Sequence, residues 1–132
     1  MTIIESKVVY LQKSDKYIYE FISDFRNFIK LMPHQIKDIK ITHDTCSFRI
    51  EGIPTITLKI NEKIPFSCVK MQTEDSKLPF TLNCILKKEN ETECAAQFCF
   101  EAKLNPMMKM MVAKPLRNFL DLLADKLKEI KF

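Results

Sequence analysis

The sequence predicts an α+β protein with about seven antiparallel strands, two short helices after the first strand, and a long helix at the carboxyl end. The prediction depends on apolar residues that alternate with polar ones through the middle of the chain. It also depends on two segments, one on each side, where apolar residues recur at steps of three and four. The length of 132 residues lies near the commonest size of one domain, so we expect a single domain over 1–132.

Apolar residues occupy even-numbered positions along the predicted strands. The set is Cys46, Phe48, Ile50, Ile56, Leu58, Ile60, Phe80, Leu82, Cys84, Leu86, Cys94, Ala96, Phe98, Phe100, Ala102 and Leu104. Period-two alternation is typical of an antiparallel sheet with one dry face. That face carries no charged residue, which favours a receptacle for an apolar molecule over an acid–base site.

The first helical segment lies between residues 12 and 33. Residues 2–12 are predicted as the opening strand, but both of its faces carry apolar groups, so its register stays open. Ser14 is a good amino-terminal cap, and Asp24 can cap a second short helix. Pro33 ends that helix, because the residue before a proline is pushed out of the α region.

Six further strands and a final helix complete the prediction. The strands are expected at 36–41, 44–50, 55–63, 67–73, 80–88 and 92–104, with a turn at 75–79. Asn105 caps the last helix, Pro106 takes its first position, and Pro115 is expected to kink it. Its apolar stripe consists of Met108, Val112, Leu116, Phe119, Leu123, Leu127 and Ile130.

Charge and cysteine content exclude several classes of function. The net charge of +4 is mild and interspersed, so we expect no nucleic-acid partner. The five cysteines form no Cys-x-x-Cys pair, so we expect reduced thiols, no metal and no cofactor. Cys46, Cys84 and Cys94 are expected to be inert lining, while Cys99 points to the other face. We see no signal peptide and no segment long enough to span a bilayer, so we expect a cytoplasmic protein without integral membrane association.

The order of elements and three short motifs resemble the START-like superfamily, also called SRPBCC, which has the helix-grip fold. The motifs are Phe25-Arg26-Asn27-Phe28, Leu31-Met32-Pro33, and the run Leu104-Asn105-Pro106-Met107-Met108-Lys109-Met110-Met111. The resemblance implies a curved sheet that wraps around the last helix, with the short helices closing one end. The superfamily includes lipid and sterol carriers, quinone-binding proteins and polyketide cyclases, and fold alone does not choose among them. Gly52 is the only glycine, which argues against the plant branch with its glycine-rich loop.

The resemblance and the dry face together predict a cavity for a small hydrophobic ligand, such as a lipid, a quinone or a polyketide-like molecule. The predicted lining residues are Phe28, Met32, Phe48, Ile50, Leu58, Phe80, Leu82, Phe98, Phe100, Met108, Met111, Val112 and Phe119. A polyketide cyclase or dehydratase is the alternative from the enzymes, although the even positions offer no ionisable pair. A third alternative is a module that meets a protein or a membrane surface through the methionine cluster, Lys109 and Lys114.

Several polar residues are of types that occur in catalytic or binding sites, but their surroundings in the sequence favour plainer roles. His34 and His43 are expected to be solvated loop residues, because no partner for catalysis is visible near either. Tyr17 and Tyr19 flank the apolar face of the first helix, so at most one of them can approach the interior.

Overall fold

The computed structural model describes residues 1–42, 44–74 and 79–130. His43 and residues 75–78 of the predicted turn lie outside the described residues. The strands are β1 (Thr2–Glu5), β2 (Val9–Leu11), β3 (Lys37–Ile41), β4 (Thr45–Arg49), β5 (Ile56–Ile64), β6 (Cys68–Thr73), β7 (Thr81–Asn90) and β8 (Glu93–Ala102). The helices are α1 (Asp15–Ile22), α2 (Phe25–Phe28), a 3-10 turn (Ile29–Leu31) and α3 (Pro106–Glu129). The predicted α+β class and order of elements are confirmed.

The strands form one antiparallel sheet that curls around α3. Their order is β1-β8-β7-β6-β5-β4-β3, and β2 also pairs with β8. α3 packs against β1, β2 and β8. On its other side, the ring of Phe119 stacks on Phe48 of β4 at 5.3 Å. In a flat sheet β1 and β4 would lie about 24 Å apart, whereas a helix is only about 10 Å wide, so the sheet must bend to reach both sides.

The opening strand is interrupted by one extra residue, and this explains its two apolar faces. Ile4 pairs with Phe100 in β1, whereas Val9 pairs with Ala96 in β2, so the register shifts by one between them. Even positions therefore point inward in β1 and odd positions in β2. The backbone N–H of Lys7 in the interruption donates to the Asp121 carboxylate of α3 at 2.8 Å. The helix thus holds the irregular segment in place.

The inward face is the one that the alternation predicts. Phe48, Leu58, Leu82 and Phe98 are all buried in the core. The exceptions lie on the outer face of the central strands, where Asn83 is 8% exposed and Cys99 is also buried. Such positions are covered by their neighbours on the adjacent strands, which the pattern along one strand does not reveal.

The helices begin at the caps that the sequence indicates. The Ser14 hydroxyl accepts from Tyr17 N, the Asp24 carboxylate from Arg26 N, and the Asn105 side-chain oxygen from Met108 N. Each contact satisfies a backbone donor that the first turn of a helix leaves free. α3 continues through Pro115 as one helix.

Candidate functional site

The predicted lining residues form part of the core. Eleven of them belong to one cluster of buried side chains, namely Phe28, Met32, Phe48, Ile50, Leu58, Phe80, Leu82, Phe98, Phe100, Val112 and Phe119. Their rings touch one another: the centroids of Phe80 and Phe100 are 4.5 Å apart. Their inward orientation agrees with the prediction, and their contact with a ligand stays a prediction.

The two remaining predicted residues, Met108 and Met111, are less buried than this set, and they differ from each other in exposure. Met108 is partly buried and packs against the core. Met111 is 65% exposed, so the prediction that it lines the interior is wrong. Consecutive helical residues lie about 100° apart, and Val112 takes the inward position, which leaves Met111 on the outer side of α3.

A groove of about 900 Å³ lies at the border of the core, between the two short helices and strands β3 and β5. It is lined by Tyr19, Glu20, Ser23, Asp24, Phe25, Arg26, Ile41, Thr42, Asp44, Lys59, Ile60 and Lys63. None of the thirteen predicted lining residues borders it. Three smaller hollows measure about 450, 330 and 150 Å³. Phe80 borders the first of these, and Ile50 and Phe119 border the last.

The floor of the groove continues the dry face of the sheet. Ile60 follows Leu58 on the inward side of β5, and it is half-buried where Leu58 is fully buried. Phe25 contributes a buried side chain from α2, and its ring packs edge-on against Phe28 at 6.2 Å. Ile41 adds a half-buried side chain from β3. The groove is therefore one place where the apolar interior opens to solvent.

Charged side chains surround this floor in balanced numbers. The Asp24 carboxylate pairs with the Arg26 guanidinium at 2.8 Å, and Lys59 lies 3.9 Å from Asp44. The hydrogen bonds from Arg26 hold the pKa of Asp24 below its ordinary value. Glu20 and Lys63 supply one further charge of each sign. Among the described residues, the groove lining thus carries three acidic and three basic groups, which balance one another.

A strained turn forms part of the groove's surroundings. The hairpin between β5 and β6 closes with a hydrogen bond from Ser67 N to Ile64 O, and Phe66 has φ +65°. This backbone region favours glycine, and Pro65 precedes it as in a type II turn. The ring of Phe66 meets Tyr19 edge-on at 5.6 Å. The turn therefore places an aromatic side chain against one wall of the groove.

The remaining polar candidates have plainer roles. Tyr19 packs against the core whereas Tyr17 is exposed, which agrees with the expectation that only one of them approaches the interior. His34 is exposed. Within the described ranges, no cluster of three or more His, Cys, Asp or Glu side chains is arranged to hold a metal ion.

The cysteines are buried. Burial raises the pKa of the Cys46 and Cys94 thiols to about 11, and it raises the pKa of Cys84 further. A thiol in such surroundings is a poor nucleophile, because the thiolate is the reactive form. The prediction of inert lining thiols agrees with this.

The sequence analysis did not predict the groove residues as site residues, apart from Tyr19 as a side chain that could approach the interior. Asp44 lies in the loop before β4, whereas Lys59 and Lys63 lie on β5, and each is an ordinary surface residue when considered alone. One signal was available: the even-numbered apolar series in β5 ends at Ile60, and polar residues follow at 61–63. The end of an apolar series marks where a sheet face leaves the core.

Comparison with known proteins relates the chain to solved structures by fold. No family model matches it, and no curated protein matches its sequence. A START superfamily protein from Mycobacterium smegmatis is 14% identical at TM-score 0.67, over 98% of this chain and 99% of that one. An Aha1 dimer from Colwellia psychrerythraea is 20% identical at TM-score 0.63 and covers 100% of both chains. Norcoclaurine synthase from Thalictrum flavum, a point mutant with a transition-state analogue, is 15% identical at TM-score 0.73, over 97% of this chain and 92% of that one.

These similarities show that the chain has the START-like helix-grip fold that the motifs predicted. In the described residues, no helix combines the length and the apolar character needed to cross a membrane.

Proposed function

We propose that this START-like chain binds a small, uncharged amphipathic molecule of the lipid or quinone kind in the groove between the short helices and strands β3 and β5. The observation that carries the proposal is the apolar floor of the groove, which continues the inward face of the sheet at Ile60. The volume of the groove, about 900 Å³, falls within the range of roughly 300–1,000 Å³ that is usual for ligand sites.

The balance of charges around the groove indicates the class of ligand. Three carboxylates and three cations of the described residues line it, and two of the carboxylates each lie within 4 Å of a cation. A ligand with a net charge would have to break these pairs or remain uncompensated near an apolar floor, and both are costly. A neutral molecule with a few polar atoms can instead bind the existing side chains at its polar end.

The predicted lining residues take a supporting part in this proposal. Leu58 adjoins Ile60 on the inward face of β5, and Phe28 backs the ring of Phe25. A molecule in the groove would therefore lie against side chains that themselves rest on Leu58 and Phe28. Deeper insertion would require these core side chains to move.

The proposal is supported by one further comparison. A solved structure of norcoclaurine synthase from Thalictrum flavum, 15% identical at TM-score 0.69, contains dopamine and hydroxybenzaldehyde, over 99% of this chain and 88% of that one. The same fold thus accommodates small aromatic molecules in another protein.

The test is a titration of the full chain with Nile red, a neutral dye that fluoresces in apolar surroundings. Ile60→Lys and Ile41→Lys each place a charge on the groove floor, and we expect either change to weaken dye binding by ~10-fold or more. Ile85→Lys is the matched control, because Ile85 is a strand isoleucine that is 40% exposed and lies outside the groove. Circular dichroism and thermal melting establish that each variant is folded.

The outcomes separate the groove from the rest of the surface. Equal weakening by the floor variants and by Ile85→Lys would mean that the dye binds elsewhere. Absence of binding to the unaltered chain would refute the proposal. Native mass spectrometry of the purified chain then identifies any co-purified molecule, and a strongly charged one would also contradict the argument from charge balance.

A further inference from the structure

The first half of α3 carries an unusual surface, which we call the basic methionine surface. It consists of Met107, Met110, Met111, Lys114 and Arg117. Met107, Met110 and Met111 are 72%, 83% and 65% exposed, although methionine normally fills gaps in a core. Each of these three residues, Lys114 and Arg117 lies three or four positions from another of the five, so they share the side of the helix opposite Val112 and Leu116.

The excess of positive over negative charge in the chain is concentrated around this surface. Residues 102–120 contain Lys103, Lys109, Lys114 and Arg117 and no acidic residue. The other 17 lysines and arginines are matched by 17 aspartates and glutamates, so this segment accounts for the net charge of +4. Among the described residues, none of these four cations has an acidic partner within 4 Å, whereas Lys7, Lys59, Lys70 and Lys88 do.

We propose that the basic methionine surface docks the protein onto a lipid bilayer that contains anionic headgroups. An amphipathic helix with exposed apolar tips among cations binds the interface of a membrane, because the tips enter the acyl boundary while the cations meet the headgroups. Here the apolar tips are the three methionines, and the cations are Lys114 and Arg117.

Two other occupants fit the surface less well. A second copy of the chain would bring the same cations against one another across a two-fold axis, with no acidic residue of the segment to separate them. A stable protein interface usually contains aromatic anchors, and the segment 103–118 contains none. A bilayer needs neither a complementary shape nor an anchor pocket.

The test is flotation of the full chain with two kinds of vesicle, phosphatidylcholine alone and phosphatidylcholine mixed with phosphatidylglycerol. We expect binding to the mixed vesicles only, and weaker binding when salt screens the charges. The double variant Lys114→Gln/Arg117→Gln should lose about fivefold for each cation and so roughly 25-fold altogether. The triple variant Met107→Ser/Met110→Ser/Met111→Ser should lose ~10-fold or more.

A matched control separates this surface from general positive charge. Lys16→Gln/Lys87→Gln removes the same number of exposed cations elsewhere, and we expect its binding to remain close to that of the unaltered chain. All the substituted side chains are solvent-exposed, so the variants should keep the fold, and Nile red binding in the groove provides a readout that they should not change.

A second readout reports insertion directly. The chain contains no tryptophan, so Met110→Trp introduces a single fluorophore on the surface. Its emission should shift to the blue with mixed vesicles, whereas Tyr10→Trp should not shift, since Tyr10 lies beside Leu127 near the far end of α3.

Four results would overturn the proposal: no binding to mixed vesicles, equal binding to neutral vesicles, equal losses in the control variant, or full binding after loss of the methionines. A dimer that depends on the methionines, shown by sedimentation, would assign the surface to a second copy. An acidic protein that competes with the vesicles while the tryptophan emission stays unshifted would assign it to a protein partner.

Discussion

Replacing Phe48 by alanine tests whether the space between the sheet and α3 is packed. Phe48 is 1% exposed, and its ring stacks on that of Phe119 at 5.3 Å with the planes 26° apart. Removing a buried ring from a packed core costs about 3–5 kcal/mol, because the transfer free energy is lost and a cavity remains. A domain has only about 5–15 kcal/mol of stability, so the change should be large.

Urea unfolding followed by circular dichroism measures the effect. We expect the midpoint to fall while the slope of the free energy with urea stays unchanged. Arg49→Ala is the matched control: it changes the next residue on the opposite face, whose side chain is 61% exposed and lies 3.9 Å from Asp38. The control should lower the free energy of unfolding by no more than about 0.5–1 kcal/mol.

A double-mutant cycle sharpens the test. Phe48→Ala and Phe119→Ala together should cost about 0.5–1.5 kcal/mol less than the sum of the two single changes, because stacked rings contribute that much beyond their burial. A loss below ~1 kcal/mol for Phe48→Ala would refute the reasoning. It would show that the ring already borders open space, and the predicted cavity between sheet and helix would regain its support.

Three further predictions concern stability. Gly52→Ala should cost about 1–2 kcal/mol in urea unfolding, because Gly52 has φ +85° and a Cβ there meets no atom within 4 Å, so only the backbone is strained. Stability should fall as the pH rises from 9 toward 11, because unfolded thiols lose their protons near 9.0 while burial keeps the pKa of Cys46 at about 11. Urea midpoints at several pH values measure this fall. Cys46→Ala should make the midpoint depend less steeply on pH. Asn105→Ala should cost about 1 kcal/mol in thermal melting through loss of the bond to Met108 N at 2.8 Å, and Asn105→Asp should retain it.

The sequence predicted most of the sheet because period-two alternation allows one solution per strand. Leu58 and Phe98 had to point inward once their polar neighbours pointed out. The register of the opening strand could not be predicted in this way. Its one-residue shift lies between Ile4 and Val9, and the carboxylate that binds the backbone there belongs to Asp121, far away in sequence. The local sequence showed only that both faces of the strand are apolar, and it did not show where the register shifts.

The candidate site was less predictable than the fold. Its groove combines Tyr19 from α1, Asp44 from a loop and Lys59 from β5, and only the folded chain brings them together. For the methionine cluster, composition indicated that some members could not face the sheet. The structure assigns Met108 to the core and Met110 to solvent, which depends on the rotation of α3.

The location of the groove at the border of the core follows from the energetics of a small chain. Keeping a dry interior cavity of about 300 Å³ open would cost roughly 7 kcal/mol at about 24 cal/mol per Å³, which is comparable to the whole stability of a domain. The inward face here has only apolar side chains to line such a cavity, so water gains little there, and closing it around rings such as Phe48 and Phe98 is favoured. A groove at Ile60 stays hydrated in the absence of ligand and carries no such cost. These energetics favour a packed interior, with open space only where the dry face meets solvent.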